Sequence, residues 1–302
     1  MTRFTAAVLC LAVSAAVCAS SETPRKPRIV VSFLPLYCFA ANVAGDRASV
    51  ETLLTGAVSP HDYQFSPQDM RKLNNADLLV TLGLGFEPWA ARLGRNVPAR
   101  VVEASAGIKA QLIYGNCGHD HAHDAEHKHH AAEAPNPHVW LDPQLAVLCV
   151  SNIAAAFSSV DPTNAALYAS NAKVYIERLL ALDRQIADTL RPFAGTAVLT
   201  YHDALPYFTR SYSLTVAAVV QPVPEVNPSL RRLAELRQVV RDKKVKALLV
   251  DANARSTLAE RISKEFRIPT VAFDNLETGT PSLEAYEKIM QSNVAALTRA
   301  LK

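Results

Sequence analysis

Nine histidines are divided unevenly along this chain. His61, His138 and His202 stand alone, while His119, His121, His123, His127, His129 and His130 crowd into one short stretch. Imidazole is the commonest side-chain ligand of transition metals, so the partition predicts two kinds of metal site. One is built from isolated side chains in structured surroundings, and the other is a loose tract. Asp274 adds a carboxylate to the first set. Three imidazoles and one carboxylate suit Zn²⁺, which is borderline-soft and tetrahedral, with Zn–N near ~2.0–2.1 Å. Mn²⁺ would favour more carboxylate and Cu²⁺ would bind such ligands at least as tightly, so donor chemistry ranks zinc first without excluding other divalent ions.

These residues fall where strands end and helices begin. Arg28 to Phe33, Ser49 to Leu54 and Asp77 to Leu82 read as short apolar strands in the first half. The second half offers Thr196 to Thr200, Leu214 to Val220, Val245 to Val250 and Pro269 to Phe273. Ser66-Pro67 with Asp69, Asp142-Pro143 and Asn227-Pro228 are cap-then-proline openings of helices. Helices are also expected over Ala204 to Ser211, Ser256 to Phe266 and Leu283 to Leu301. Short strands alternating with helices predict parallel sheets with helices on both faces. His61, His138, His202 and Asp274 all sit in loops on this plan, and ligand groups gather outside the carboxyl ends of strands in such sheets. Asp62 and Asp203 follow two of the histidines and could orient imidazoles or cap helices.

From Thr163 to Arg191 there is neither glycine nor proline, and Tyr168, Tyr175, Leu179, Leu182, Ile186 and Leu190 mark one face. At ~1.5 Å per residue this helix would run roughly 43 Å, longer than one lobe needs. It therefore reads as a rigid strut. The expected fold is α/β, with two Rossmann-like lobes of mostly parallel strands and a metal site in the cleft between them. Residues 27–160 form the first lobe, with a histidine-rich loop at 117–135; residues 161–192 form the linker helix, and residues 193–302 the second lobe.

Residues 1–19 read as a secretory signal peptide: Arg3, then an apolar core from Ala6 to Val17, then Val17-Cys18-Ala19. Cys18 permits a lipid anchor, but Val17 is a poor residue before an acylated cysteine. The 31 basic and 28 acidic residues leave so weak a bias that nucleic acid is not an expected partner. Beyond Cys10 and Cys18 only Cys38, Cys117 and Cys149 remain, so at most one disulfide forms and one thiol is left over.

The segments around the histidines resemble the ZnuA-like metal-binding receptors of ABC importers. Ser59-Pro60-His61-Asp62-Tyr63, Asn136-Pro137-His138-Val139-Trp140-Leu141-Asp142-Pro143, Tyr201-His202-Asp203-Ala204 and Glu225-Val226-Asn227-Pro228-Ser229 carry the similarity. The resemblance implies that His61, His138 and His202 are ligands, with Asp274 at the second-lobe carboxylate position. In manganese-type members the third ligand is often glutamate, so His202 favours zinc. It further implies a periplasmic, monomeric receptor that passes Zn²⁺ to a membrane permease with its ATPase. Two segments depart from the family pattern: Asp251-Ala252-Asn253 stands for a usual glutamate-proline, and Asn275-Leu276-Glu277 for proline-leucine-glycine.

The histidine-rich tract has no amphipathic period and is expected to collect zinc weakly. The rival classes are a zinc hydrolase, a metal-buffering adhesin, or a receptor for manganese or another divalent ion. A hydrolase would keep an open coordination position, yet the chain has no His-Glu-x-x-His and no Gly-x-Ser-x-Gly. Binding rather than catalysis is the expectation.

Overall fold

A computed structural model describes residues 25–54, 60, 63–93, 97–109, 111–114, 134–222, 226–252 and 256–302. The expected leader with Cys18, His61 with Asp62, Cys117 and the histidines at 119–130 lie outside the described residues.

The first half folds as β1 (Arg28–Val31), α1 (Leu34–Ala44), β2 (Ser49–Thr52), α2 (Pro67–Asn74), β3 (Leu78–Thr81), α3 (Pro88–Leu93) and β4 (Arg100–Glu103). All four strands pair in parallel, in the order β2-β1-β3-β4. Leu78, Leu79 and Val80 are completely buried, as strands covered on both faces must be. The expected capping box opens α2: Ser66 accepts from the Asp69 amide while Asp69 accepts from Ser66. Strand β4 lies beyond the expected set. It is an edge strand with no alternating burial, so its sequence carries no period.

Two long helices follow, α4 (Pro143–Val160) and α5 (Ala165–Leu190). Asp142 caps α4 by accepting from the Gln144 amide at 2.9 Å. Helix α4 is long and apolar enough to cross a bilayer by composition alone, but it lies against α1 and α5 with Cys149, Val150 and Ile153 fully buried. Helix α5 buries the six expected residues plus Ala172. That stripe packs on α1 and α4 at one end and on the last helix at the other, which makes α5 the strut between two lobes.

The second lobe runs β5 (Ala197–His202), α6 (Pro206–Ser211), β6 (Thr215–Gln221), α7 (Leu230–Asp242), β7 (Ala247–Asp251), α8 (Thr257–Phe266), β8 (Thr270–Phe273) and α9 (Ala285–Leu301). Its parallel sheet has the order β6-β5-β7-β8, the same winding as the first. Helix α7 opens at Ser229, whose hydroxyl accepts from the Arg232 amide, rather than at Asn227; that side chain instead accepts from Gln221. Cys38 and Cys149 are buried free thiols, and burial pushes both up to about 12, which keeps them protonated and inert.

Candidate metal centre

His138 immediately precedes a short 3-10 turn, Val139–Leu141, which leads to Asp142, the cap of α4. His202 is the last residue of β5, so the strand runs two residues past its expected end. These two expected ligands meet: their rings lie 5.5 Å apart at 76°. A third residue joins them. One ligand atom each from His138, His202 and Glu277 lies within 4.8 Å of the others, and no other such His, Cys, Asp and Glu group occurs among the described residues.

Glu277 is the residue that sequence reasoning misses. It reaches the histidines because the chain after β8 turns sharply. The Leu276 amide donates to Asp274 Oδ1 at 2.8 Å, and Leu276 itself takes φ +62°. Asn293 clamps the start of this turn, accepting from the Asp274 amide and donating to its carbonyl. The turn reverses the backbone and delivers Glu277 Oε1 to within 3.2 Å of His138 Nε2. A glutamate where the family pattern has glycine is the signal that could have found it.

The surroundings on the His138 side are aromatic and closely packed. His138 is fully buried, with Trp140 at 5.0 Å and Phe86 at 6.2 Å between ring centroids. Phe33 closes the aromatic wall against both Phe86 and Trp140. Low polarizability around the donors strengthens their attraction for a cation. Asn136 Oδ1 lies 2.9 Å from His138 Nδ1, which makes Nδ1 the protonated nitrogen and leaves the Nε2 lone pair facing the cluster. Tyr207 donates to the Asn136 carbonyl, Trp140 to that of Asn275, and Tyr286 to that of Trp140. The segment bearing His138 is thereby stitched to the second lobe. His202, Asp251 and Asn275 also line a cavity of about 20 Å³, room for one small occupant.

Beneath the aromatic wall, Glu87 is buried and accepts from Ser32 Oγ (2.6 Å), the Leu82 amide (2.7 Å) and the Gly83 amide (3.1 Å). Burial pushes its carboxyl up to about 7, with Glu103 adding to the rise, against the lowering effect of the three donors. It holds the 82–87 turn that carries Phe86. Past Glu277 the chain returns to the first lobe at Gly279 (φ +142°), where a Cβ would meet Leu34 at 3.0 Å. Only glycine combines that φ with that approach.

A family described as "ZnuA: Zinc-uptake complex component A periplasmic" matches residues 29–300. The chain is 32% identical over 298 residues to the zinc-binding lipoprotein AdcA of Streptococcus pneumoniae serotype 4, covering 96% of this chain and 59% of that protein. It is 30% identical to the high-affinity zinc uptake system protein ZnuA of Bacillus subtilis, covering 91% and 88%. Among solved structures, the solute-binding protein FpvC of Pseudomonas aeruginosa in complex with Mn²⁺ superposes with TM-score 0.81 at 27% identity, covering 92% of this chain and 99% of that one. The chain spans little more than half the length of the AdcA relatives it matches, 55% for that of Streptococcus pyogenes.

Proposed function

The chain belongs to the ZnuA family, the periplasmic A component of zinc-uptake complexes, and on that premise we propose that it captures one Zn²⁺ between its lobes and delivers it to an ABC-type importer. The convergence of His138, His202 and Glu277 carries this reading. In a tetrahedral zinc site with bonds of ~2.0–2.1 Å, neighbouring donor atoms lie roughly 3.3–3.4 Å apart. The 3.2 Å between His138 Nε2 and Glu277 Oε1 is close to that edge.

His61 completes the set as the fourth ligand, supplied by the first lobe. Of the two carboxylates in the turn directly after β8, Glu277 has an oxygen at ligand spacing from His138, while Asp274 shapes the turn that delivers it. Two lobes, residues 27–160 and 193–302, joined through 161–192, bracket the cation. Three neutral imidazoles and one carboxylate leave the loaded centre with net charge about +1, and a fully protein-ligated ion has no water to activate. The work is therefore binding and release, not hydrolysis.

The cargo reaches this site outside the cytoplasm, after export directed by residues 1–19, and leaves through a membrane permease driven by its ATPase. Release by signal peptidase fits the Val17-Cys18-Ala19 sequence better than acylation of Cys18. Metal analysis of the purified mature protein should find one tightly held equivalent of zinc, lost when His61, His138 or His202 is replaced by alanine. Manganese in preference to zinc would move the reading to another cargo. Unaltered zinc content in the His138 and His202 variants would refute the site itself.

A further inference from the structure

Two asparagines stand two residues before two of these ligands, and each closes a turn onto its ligand's backbone. Asn136 Oδ1 accepts from the His138 amide at 3.0 Å, and Asn275 Oδ1 accepts from the Glu277 amide at 3.3 Å. Each side chain then makes a second contact with the ligand. Asn136 Oδ1 also accepts from His138 Nδ1, while its Nδ2 donates to the Asp203 carbonyl beside His202. Asn275 Nδ2 donates to Glu277 Oε1 at 2.9 Å, the same oxygen that faces His138. Both asparagines are buried, and Trp140 holds the Asn275 backbone in place.

We infer that Asn275 is a positioning residue that sets metal preference by holding Glu277 to ligation through one oxygen. The inference rests on Glu277 being a ligand, as proposed above. A free carboxylate can swing to present both oxygens to a cation. Here that rotation would pull Oε1 away from a buried amide donor that has been positioned for it, and an orphaned buried donor is costly. One-oxygen ligation suits four-coordinate Zn²⁺. Mn²⁺ favours oxygen-rich, six-coordinate surroundings and loses the second oxygen it would otherwise recruit. The residue must be a neutral donor: aspartate at 275 would repel Glu277 instead of tethering it. Asn136 plays the matching part for the imidazole by selecting the nitrogen that faces the ion.

The test compares Asn275→Ala with Asn275→Ser. The serine hydroxyl can still accept from the Glu277 amide and close the turn, but it is too short to reach Oε1. Competitive titration should show zinc affinity falling roughly 10–100-fold, with manganese affinity level or rising, so that the zinc-to-manganese ratio drops at least about tenfold. Co²⁺ bound to either variant should lose the intense visible absorption of a four-coordinate ion. Equal weakening for both metals with an unchanged Co²⁺ spectrum would make Asn275 merely structural and overturn the inference. X-ray absorption at the zinc edge of the wild-type protein gives a reading free of folding effects: four light donors are expected, and a shell containing both carboxylate oxygens refutes it. Glu277→Ala separates the two claims. If it leaves the Co²⁺ spectrum intact, Glu277 is not a ligand; if it abolishes binding while Asn275→Ser is silent, only the role of Asn275 falls.

Discussion

Glu277 Oε1 lies 3.2 Å from His138 Nε2, although 139 residues separate them in the chain. The contact joins a turn after the last strand of the second lobe to a turn before α4, so the centre forms only when both lobes and the strut are folded. Glu277→Ala should therefore weaken zinc binding by at least about 100-fold, the scale of losing a metal ligand rather than a supporting contact. Asp274→Ala removes the acceptor for the Leu276 amide and should lower the melting temperature while keeping one zinc equivalent. Chelator competition and thermal melts on the two variants check this, and the reverse pattern would make Asp274 the ligand.

The Glu87 carboxyl titrates near 7 in the folded chain against an ordinary 4.5, chiefly because it is buried. Between those values the unfolded chain has released the proton and the folded one has kept it. Stability should accordingly fall as pH rises from about 4.5 to 7 and level off above that, by roughly 1–3 kcal/mol from this group. Urea melts at pH 5 and pH 8 on wild type and Glu87→Gln isolate it. Whatever the offset between the two proteins, the glutamine variant should show the smaller loss with rising pH.

Local patterns that depend on chain periodicity are legible in the amino-acid sequence. The buried stripe of α5, the Ser66 capping box and the Asp142 cap follow directly from residue spacing, since each is satisfied within a turn or two of helix. Strand β4 is not legible in this way, because an exposed edge strand with Val101 43% accessible needs no apolar alternation. The shared winding of the two sheets is equally hidden: strand order is a nonlocal pairing with no counterpart in a single stretch of sequence. At the site, His138 and His202 can be chosen by residue type and by their place where a strand ends or a helix is about to begin. Glu277 cannot, because it reaches them only through the left-handed turn at Leu276.

The histidine-rich tract is expected to add weak capacity and leave the tight site unchanged. The expectation rests on composition alone: histidine-rich tracts without an amphipathic period are metal-binding by residue type. Deleting residues 119–130 should remove the weak zinc equivalents in a titration and leave one tight equivalent in place. The weak equivalents of the intact protein should also fade below about pH 6.5 as the imidazoles protonate. Loss of the tight equivalent on deletion would mean that the tract supplies a ligand.

Arg178 on α5 donates to Asn42 on α1 at 2.9 Å and also pairs with Glu287 on α9, so one strut residue holds both lobes. Asn42 reaches across as well, donating to the Leu283 carbonyl ahead of α9. Below these polar contacts Tyr175, Leu179 and Leu182 fill the seam, and truncating Leu179 to alanine should cost ~2–5 kcal/mol in chemical denaturation. Arg178→Ala should cost less, about 1 kcal/mol, because its guanidinium is partly exposed and screened. A seam this continuous resists hinge bending, since opening it by tens of degrees would expose the apolar stripe of α5 to water. Crystals with and without zinc should then differ by local shifts near the cation and by only a few degrees between lobes. A rotation of tens of degrees would show that α5 bends or slides rather than bracing the two lobes.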